Sequence, residues 1–393
     1  MQINDSILTE PQRLLIDRAV KYLHPSNDSA ADLGLIYVRA LGRHGFSGAS
    51  LFLLWTDAEP SQRYVVKVGP KVDIKSESNA LTKVAKYFED AKVATTSAKY
   101  IQMGQLAAII YPFISVHKNL GSHTTELEHF CFLDDKEVHV LALSELVGRK
   151  DVEQLSGCKL LFERVFAICG KAQIKSVVKF AKYGDHYKKS LKSKERIDSR
   201  LRQMYGLGPD SKPGELVMLD VRVANPLVVI EELIEKSDDF LLGPIHGDLH
   251  ATNVVLDNEG RPHLIDFAWA EKQGVIFRDY TLMECSLRYM VFPTHRDPRI
   301  HLEIDKACLK VDGLQLLQSD KCFFNSISID YRRLIELLIV VRTHAEKVSG
   351  VLAENWFESY LKNLFLMHYR LHEYPGYGLL SARALGLLAL RIR

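Results

Sequence analysis

Ile245-His246-Gly247-Asp248-Leu249-His250-Ala251-Thr252-Asn253-Val254-Val255-Leu256, followed shortly by Leu264-Ile265-Asp266-Phe267, is the stretch that decides the reading of this chain. Apolar residues flank a polar loop, and a short turn separates two further apolar runs. The pattern predicts strand, loop, strand, turn, strand, ending on a carboxylate. Asp248, Asn253 and Asp266 each offer an oxygen ligand or hydrogen-bond acceptor. Asp and Asn that merely cap turns explain single members of such a set. A chance match to His-Gly-Asp with Asn five residues after the Asp is on the order of 10⁻³ for a chain of this length.

These residues resemble the aminoglycoside phosphotransferase/choline kinase branch of the protein-kinase-like superfamily, which has His-Gly-Asp where protein kinases have His-Arg-Asp. Asp248 and Asn253 stand five apart, the interval of a kinase catalytic-loop Asp and its metal-binding Asn. Asp266-Phe267-Ala268 stands where Asp-Phe-Gly is usual, a departure common in the branch. Together with Arg278-Asp279-Tyr280 and Leu282-Met283-Glu284, it is also similar to a bacterial kinase-like family named for ternary-complex association, found in conflict and signalling systems. The resemblance implies an α+β, two-lobed fold with ATP in the cleft. A small β-rich N-lobe would span 1–115, and a large, mainly helical C-lobe 116–393.

Phosphoryl transfer from a nucleotide needs Mg²⁺, a cation that prefers hard oxygen ligands. Asp266 and Asn253 are therefore expected to hold metal, and Asp248 to accept or orient the proton of the attacking hydroxyl. His246 is expected to buttress the loop by hydrogen bonds, and His250 to pack locally. Asp279 is expected to anchor the loop through backbone hydrogen bonds or to cap a helix.

Upstream, the order of elements follows the same scheme. A leading helix is expected at 11–23. Leu35–Leu41 and Leu51–Trp55 read as strands around Gly42-Arg43-His44-Gly45-Phe46-Ser47-Gly48-Ala49-Ser50. In such a hairpin the backbone at Gly45 and Gly48 approaches phosphate oxygens, and Ser47 and Ser50 add hydroxyl donors. Taken alone, the turn also suits an ordinary hairpin.

Tyr64–Val68 reads as a third strand. Its Lys67, between β-branched residues, is costly to bury without a partner. The partner expected is Glu77, in the first turn of a helix from about Ser76 to Phe88; an edge-strand Lys and a helix-dipole Glu are the plainer alternative. Lys99–Gly104 and Leu106–Ile114 read as a hairpin leading to a hinge at 111–115. There Phe113 or Ile114 would line an adenine pocket.

Residues 116–205 read as predominantly helical. Lys171–Arg202 holds 11 Lys/Arg against Asp185, Glu195 and Asp198. This is a solvated helical face or a surface for an acidic partner. Few aromatic residues interleave it, which argues against nucleic-acid recognition. Residues 205–226 read as a loop, Leu227–Lys236 as a helix, and Leu379–Leu390 as a helix packing on the large lobe rather than on a membrane.

His123, His129, Cys131 and His139 lack the spacing of a compact zinc site. The chain has 393 residues, 47% hydrophobic and 25% charged, with a net charge of +2. That near-balance gives no general drive toward nucleic acid or acidic membranes. Six scattered cysteines without a Cys-x-x-Cys pair suit reduced thiols in the cytoplasm.

The function expected is transfer of the ATP γ-phosphoryl group, with Mg²⁺, to a hydroxyl of a small molecule or protein. The alternative is a catalytically silent, nucleotide-binding kinase-like switch in a bacterial signalling or conflict system. The basic stretch at 171–202 argues modestly against a cationic aminoglycoside as acceptor.

Overall fold

The computed structural model describes residues 3–4, 8–24, 36–40, 49–56, 64–88, 99–112, 141–142, 155–173, 176–256, 261–292, 297–350, 355–374 and 377–393. The chain is of the α+β class. It divides into two compact units: Met1–Leu141 with Val255–Glu271, and Ala142–Val254 with Lys272–Arg393.

The first unit is built on a six-stranded sheet. Its strands are β1 (Ile3–Asn4), β2 (Ile36–Ala40), β3 (Ser50–Thr56), β4 (Tyr64–Pro70), β5 (Lys99–Met103) and β6 (Leu106–Pro112), in the order β1-β2-β3-β4-β6-β5. The β1–β2 pair is parallel and the other pairs are antiparallel.

Side chains alternate across a strand, so even-numbered residues of β3, β4 and β6 share one face. That face carries Phe52, Leu54, Val66, Val68, Ala108 and Ile110. It buries Leu15, Ile16, Ala19 and Val20 of helix α1 (Glu10–Leu23), whose spacing of apolar residues matches one helical stripe. Gln12 closes the start of α1 by accepting from Thr9 N at 3.0 Å. Lys67 is odd-numbered and so lies on the other face, in register with Leu51 and Ile109.

Helix α2 (Lys71–Val84) begins directly after β4, earlier than the sequence suggests, and a single 3₁₀ turn, Ala85–Tyr87, follows it. Ile74, Glu77, Leu81 and Val84 form its buried stripe. Charged Lys71, Asp73 and Lys75 concealed the first turn, which places Glu77 in the second turn instead.

The second unit is mainly helical, and two antiparallel ribbons correct the sequence reading. Val177–Lys182, expected as helix, pairs with Ser237–Leu242. Its Val-Val start and mostly exposed side chains suit a strand better than an amphipathic helix. Glu215–Met218 pairs with Val221–Ala224 inside the expected loop. Asn225 then caps the helix Pro226–Glu235, accepting from Leu227 N at 3.0 Å, with Pro at the first helical position.

Helix Phe277–Ser286 is buried along its whole length. It carries Glu284, whose carboxylate meets Arg342 at 2.9 Å, Arg288 at 3.3 Å and the Tyr360 hydroxyl at 2.7 Å. Burial alone would raise the Glu284 pKa, but the guanidinium of Arg342, with Arg288, outweighs it and lowers it. Asp305 extends the network to Arg288 at 2.6 Å and Arg383 at 3.0 Å. Five helices are thereby tied through buried charge: Phe277–Ser286, Pro298–Ala307, Ile329–Val348, Trp356–Leu371 and Leu379–Ile392. Deleting one member of such a network leaves a buried charge uncompensated, typically about 3–5 kcal/mol.

Among the described residues, no helix is long and apolar enough to cross a membrane.

Candidate active site

In the first unit, Lys67 is held at the centre of the sheet by two carboxylates. Its Nζ lies 2.8 Å from Glu77 Oε2 and 3.2 Å from Asp266 Oδ1. Lys67 and Glu77 are buried, whereas the Asp266 side chain is 36% exposed and so keeps an open side. Burial works to lower the Lys67 pKa, but the charges of Asp266 and Glu77 outweigh it, so the ammonium is kept. Burial and the neighbouring Asp266 charge push the Glu77 carboxyl up, against the pull of Lys67. Tyr111 donates its hydroxyl to Glu77, a contact the sequence reading missed because it treated Tyr111 only as part of a hinge.

Asp266 follows strand Pro262–Leu264 and has a φ of 61°, in the left-handed region that costs a non-glycine residue energy. The next residue, Phe267, is buried edge-on against Phe88 with ring centroids 5.9 Å apart. This anchor helps hold the Asp266 turn in place.

In the second unit, strand Ser237–Ile245 delivers the chain to the loop, and the 3₁₀ turn Ala251–Asn253 ends it. Asp279, on helix Phe277–Ser286, pins the loop entrance. Its carboxylate accepts from His246 N at 2.8 Å and Gly247 N at 2.7 Å. Gly247 has a φ of 80°, which glycine adopts without strain. Burial pushes the Asp279 pKa up to about 7, against the two backbone donors and Arg278. The anchoring role expected of Asp279 is thus seen; it lies inside the helix Phe277–Ser286 and does not cap it.

Within the loop, Asp248 N donates to His246 Nδ1 at 3.3 Å, the buttress expected of His246. Asn253 Nδ2 donates to Asp248 O at 2.9 Å and lies 3.0 Å from His250 Nε2. His250 Nδ1 lies 2.6 Å from Thr252 Oγ1. Asn253 thus donates through Nδ2 to the loop backbone, leaving its Oδ1 for another donor or a cation.

The Asp248 carboxylate is flanked by His250 Nε2, 3.5 Å from Oδ2, and by Arg370 Nη2, 3.7 Å from Oδ1. Burial acts to raise its pKa. His250 first, then Arg370 and His246, outweigh it and hold the carboxyl well below its usual range. Nothing in the sequence near the loop announces Arg370, which comes from the helix Trp356–Leu371.

Ser50 departs from expectation. It opens β3 on the α1 face, where its hydroxyl accepts from Gln12 Nε2 at 3.4 Å, away from the face of Lys67. Gly45, Ser47, Gly48, Phe113 and Ile114 lie outside the described residues, as do His123, His129, Cys131 and His139. Part of the basic 171–202 stretch is matched internally: Lys182 by Glu235, Lys194 by Asp198 and Arg196 by Glu373.

Residues 187–371 match the family model described as ternary complex associated domain 9, which is the narrower family the motifs resemble. No curated protein matches the chain. Similar solved structures include a glucosamine kinase at 12% identity and a TM-score of 0.46, covering 95% of this chain and 83% of that one. A type VIII aminoglycoside-3'-phosphotransferase matches at 13% identity and a TM-score of 0.39, covering 83% and 98%. An ethanolamine kinase from Plasmodium vivax matches at 10% identity and a TM-score of 0.40, covering 97% and 90%.

Proposed function

We propose that the protein is an ATP- and Mg²⁺-dependent phosphotransferase that moves the γ-phosphoryl group to a hydroxyl of a small molecule or protein. The observation that supports this most is the buried Lys67 between Glu77 and Asp266. Burying an ammonium in a sheet is costly, and here the charges of Asp266 and Glu77 together outweigh it. A second carboxylate, open to solvent on one side, suits a site that also receives a metal and phosphates.

In this reading the small lobe spans 1–115 and the large lobe 116–393. Lys67 contacts the nucleotide phosphates, oriented by Glu77 and Tyr111. The backbone around Gly45, Ser47, Gly48 and Ser50 covers the phosphates, and Phe113 and Ile114 line the adenine. Asp266 and Asn253 would offer Mg²⁺ hard oxygen donors, and the bond from Asn253 Nδ2 to the loop backbone favours its oxygen for that task. Mg²⁺ held by these residues would supply positive charge against the transferring phosphoryl group.

Asp248 orients the acceptor hydroxyl. Its oxygen bonds to the γ-phosphorus as the bond to the bridging oxygen breaks and ADP leaves. The hydroxyl proton passes to Asp248. A carboxylate held below its usual pKa range is a weak base, so this transfer comes late and positioning dominates.

The scattered cysteines fit a cytoplasmic setting. An acidic partner at 171–202 would meet exposed Lys179, Lys188 and Lys192.

The test is calorimetry with ATP, with and without Mg²⁺, and transfer from γ-labelled ATP to a panel of hydroxyl compounds and proteins. Asp248→Ala abolishes transfer and largely spares ATP affinity, whereas Asp266→Ala weakens Mg·ATP binding as well. Absence of binding at millimolar ATP in folded protein refutes the reading. Binding without transfer to any acceptor favours a silent nucleotide-binding switch, the reading to which the matched family's description, ternary complex associated, lends support.

A further inference from the structure

The geometry points to Arg370 as the positioning residue of Asp248, acting from the far end of the chain to fix the carboxylate that meets the acceptor. This inference rests on the phosphotransferase reading. Arg370 is 3% exposed and comes from the helix Trp356–Leu371, which packs on the loop-anchoring helix Phe277–Ser286. Its Nη2 stands 3.7 Å from Asp248 Oδ1.

Three groups around Asp248 are able to carry positive charge: His246, His250 and Arg370. His250 faces the other carboxylate oxygen, with its Nε2 3.5 Å from Oδ2. His246 is occupied as an acceptor from Asp248 N. Arg370 is charged in every state and has donors in a fixed plane. Asp279, the other acid near Asp248, spends both oxygens on the backbone of His246 and Gly247. The loop backbone is thus fixed by Asp279, and the side chain of Asp248 by Arg370. The two supports come from different helices.

A carboxylate with a rigid partner on Oδ1 keeps its lone pairs aimed in one direction, so acceptor orientation is set before the acceptor arrives. Loss of the partner costs turnover through misalignment while leaving nucleotide binding, which Asp248 does not make, in place.

The test compares Arg370→Met and Arg370→Lys with wild type and with the exposed control Arg299→Met. In the transfer assay Arg370→Met lowers kcat at least tenfold with KM for ATP changed less than twofold, and Arg370→Lys recovers at least threefold over Met. In parallel, urea unfolding of wild type, Arg370→Met, Asp248→Asn and the double variant reads the contact without any activity. The destabilisation by Arg370→Met is smaller in the Asp248→Asn background. Arg370→Gln replaces Met in both arms should the Met variant not fold. A kcat within twofold of wild type, or strictly additive unfolding, overturns the inference. Should wild type transfer no phosphate, the phosphotransferase reading fails, and the unfolding cycle alone decides whether Arg370 holds Asp248.

Discussion

Asp279→Asn is the most informative perturbation outside the reacting groups. The Asp279 carboxylate accepts from two buried backbone donors, His246 N at 2.8 Å and Gly247 N at 2.7 Å. Asparagine has the same shape and one acceptor oxygen. Whichever way its amide is turned, one of the two N–H groups meets an NH₂ and loses its acceptor. A buried donor left unsatisfied costs about 1–3 kcal/mol. A domain has roughly 5–15 kcal/mol in all, so the loss is measurable and survivable. The strain falls at the entrance of the loop carrying Asp248, where a displacement of about 1 Å lowers turnover on the order of 100-fold. Urea unfolding measures the first effect, and transfer from labelled ATP the second. An Asp279→Asn protein with stability within about 0.5 kcal/mol of wild type, a typical neutral surface change, and unaltered turnover refutes the anchoring argument.

Asp279 also gives a pH dependence. Its folded pKa, pushed up to about 7 by burial, exceeds the ordinary value for aspartate, so between about pH 4 and 7 the folded state holds a proton that the unfolded state has lost. Its contribution to stability therefore declines as pH rises through that window, by at most about 1.4 kcal/mol per pH unit, and levels off above it. The deficit of Asp279→Asn relative to wild type is accordingly larger at pH 5 than at pH 8, as read by paired urea titrations. Lys67→Met leaves buried Glu77 without its cation and destabilises by about 3–5 kcal/mol. Adding Glu77→Gln restores part of that loss, and calorimetry shows weakened ATP binding in both variants. Gly386→Ala sets a Cβ 2.7 Å from Val223 Cβ and costs about 1–3 kcal/mol, as read by thermal unfolding.

The loop was legible because its determinants are local. Glycine, turn-forming acids and apolar strands lie within about 25 residues, and each type has a fixed structural use. Lys67 and Glu77 were legible for a different reason: a lysine among β-branched residues demands a partner. Asp279 was readable as an anchor only through the family motif that contains it. Arg370 was not readable, since a helical arginine carries no sign of whether its face is buried. Val177–Lys182 was misread because its lysines suggested a solvated helix, whereas its pairing with Ser237–Leu242 is decided by partners far along the chain. The face taken by the Ser50 side chain was not readable, because the position of α1 sets which parity faces inward.

The division of the chain has a consequence for its synthesis. Lys67 and Asp266 are 199 positions apart in sequence yet belong to the same unit. The piece Val255–Glu271 returns to the first unit only after residues 142–254 have been made, and the second unit in turn awaits residues 272–393. A nascent chain emerging at about 5–20 residues per second carries Lys67 for roughly ten to forty seconds before its second carboxylate exists. Neither unit can be released as an uninterrupted fragment. A truncation at residue 141 would hold the sheet and Glu77 but lack Asp266, and a fragment beginning at 142 would carry the 255–271 piece with no sheet to receive it.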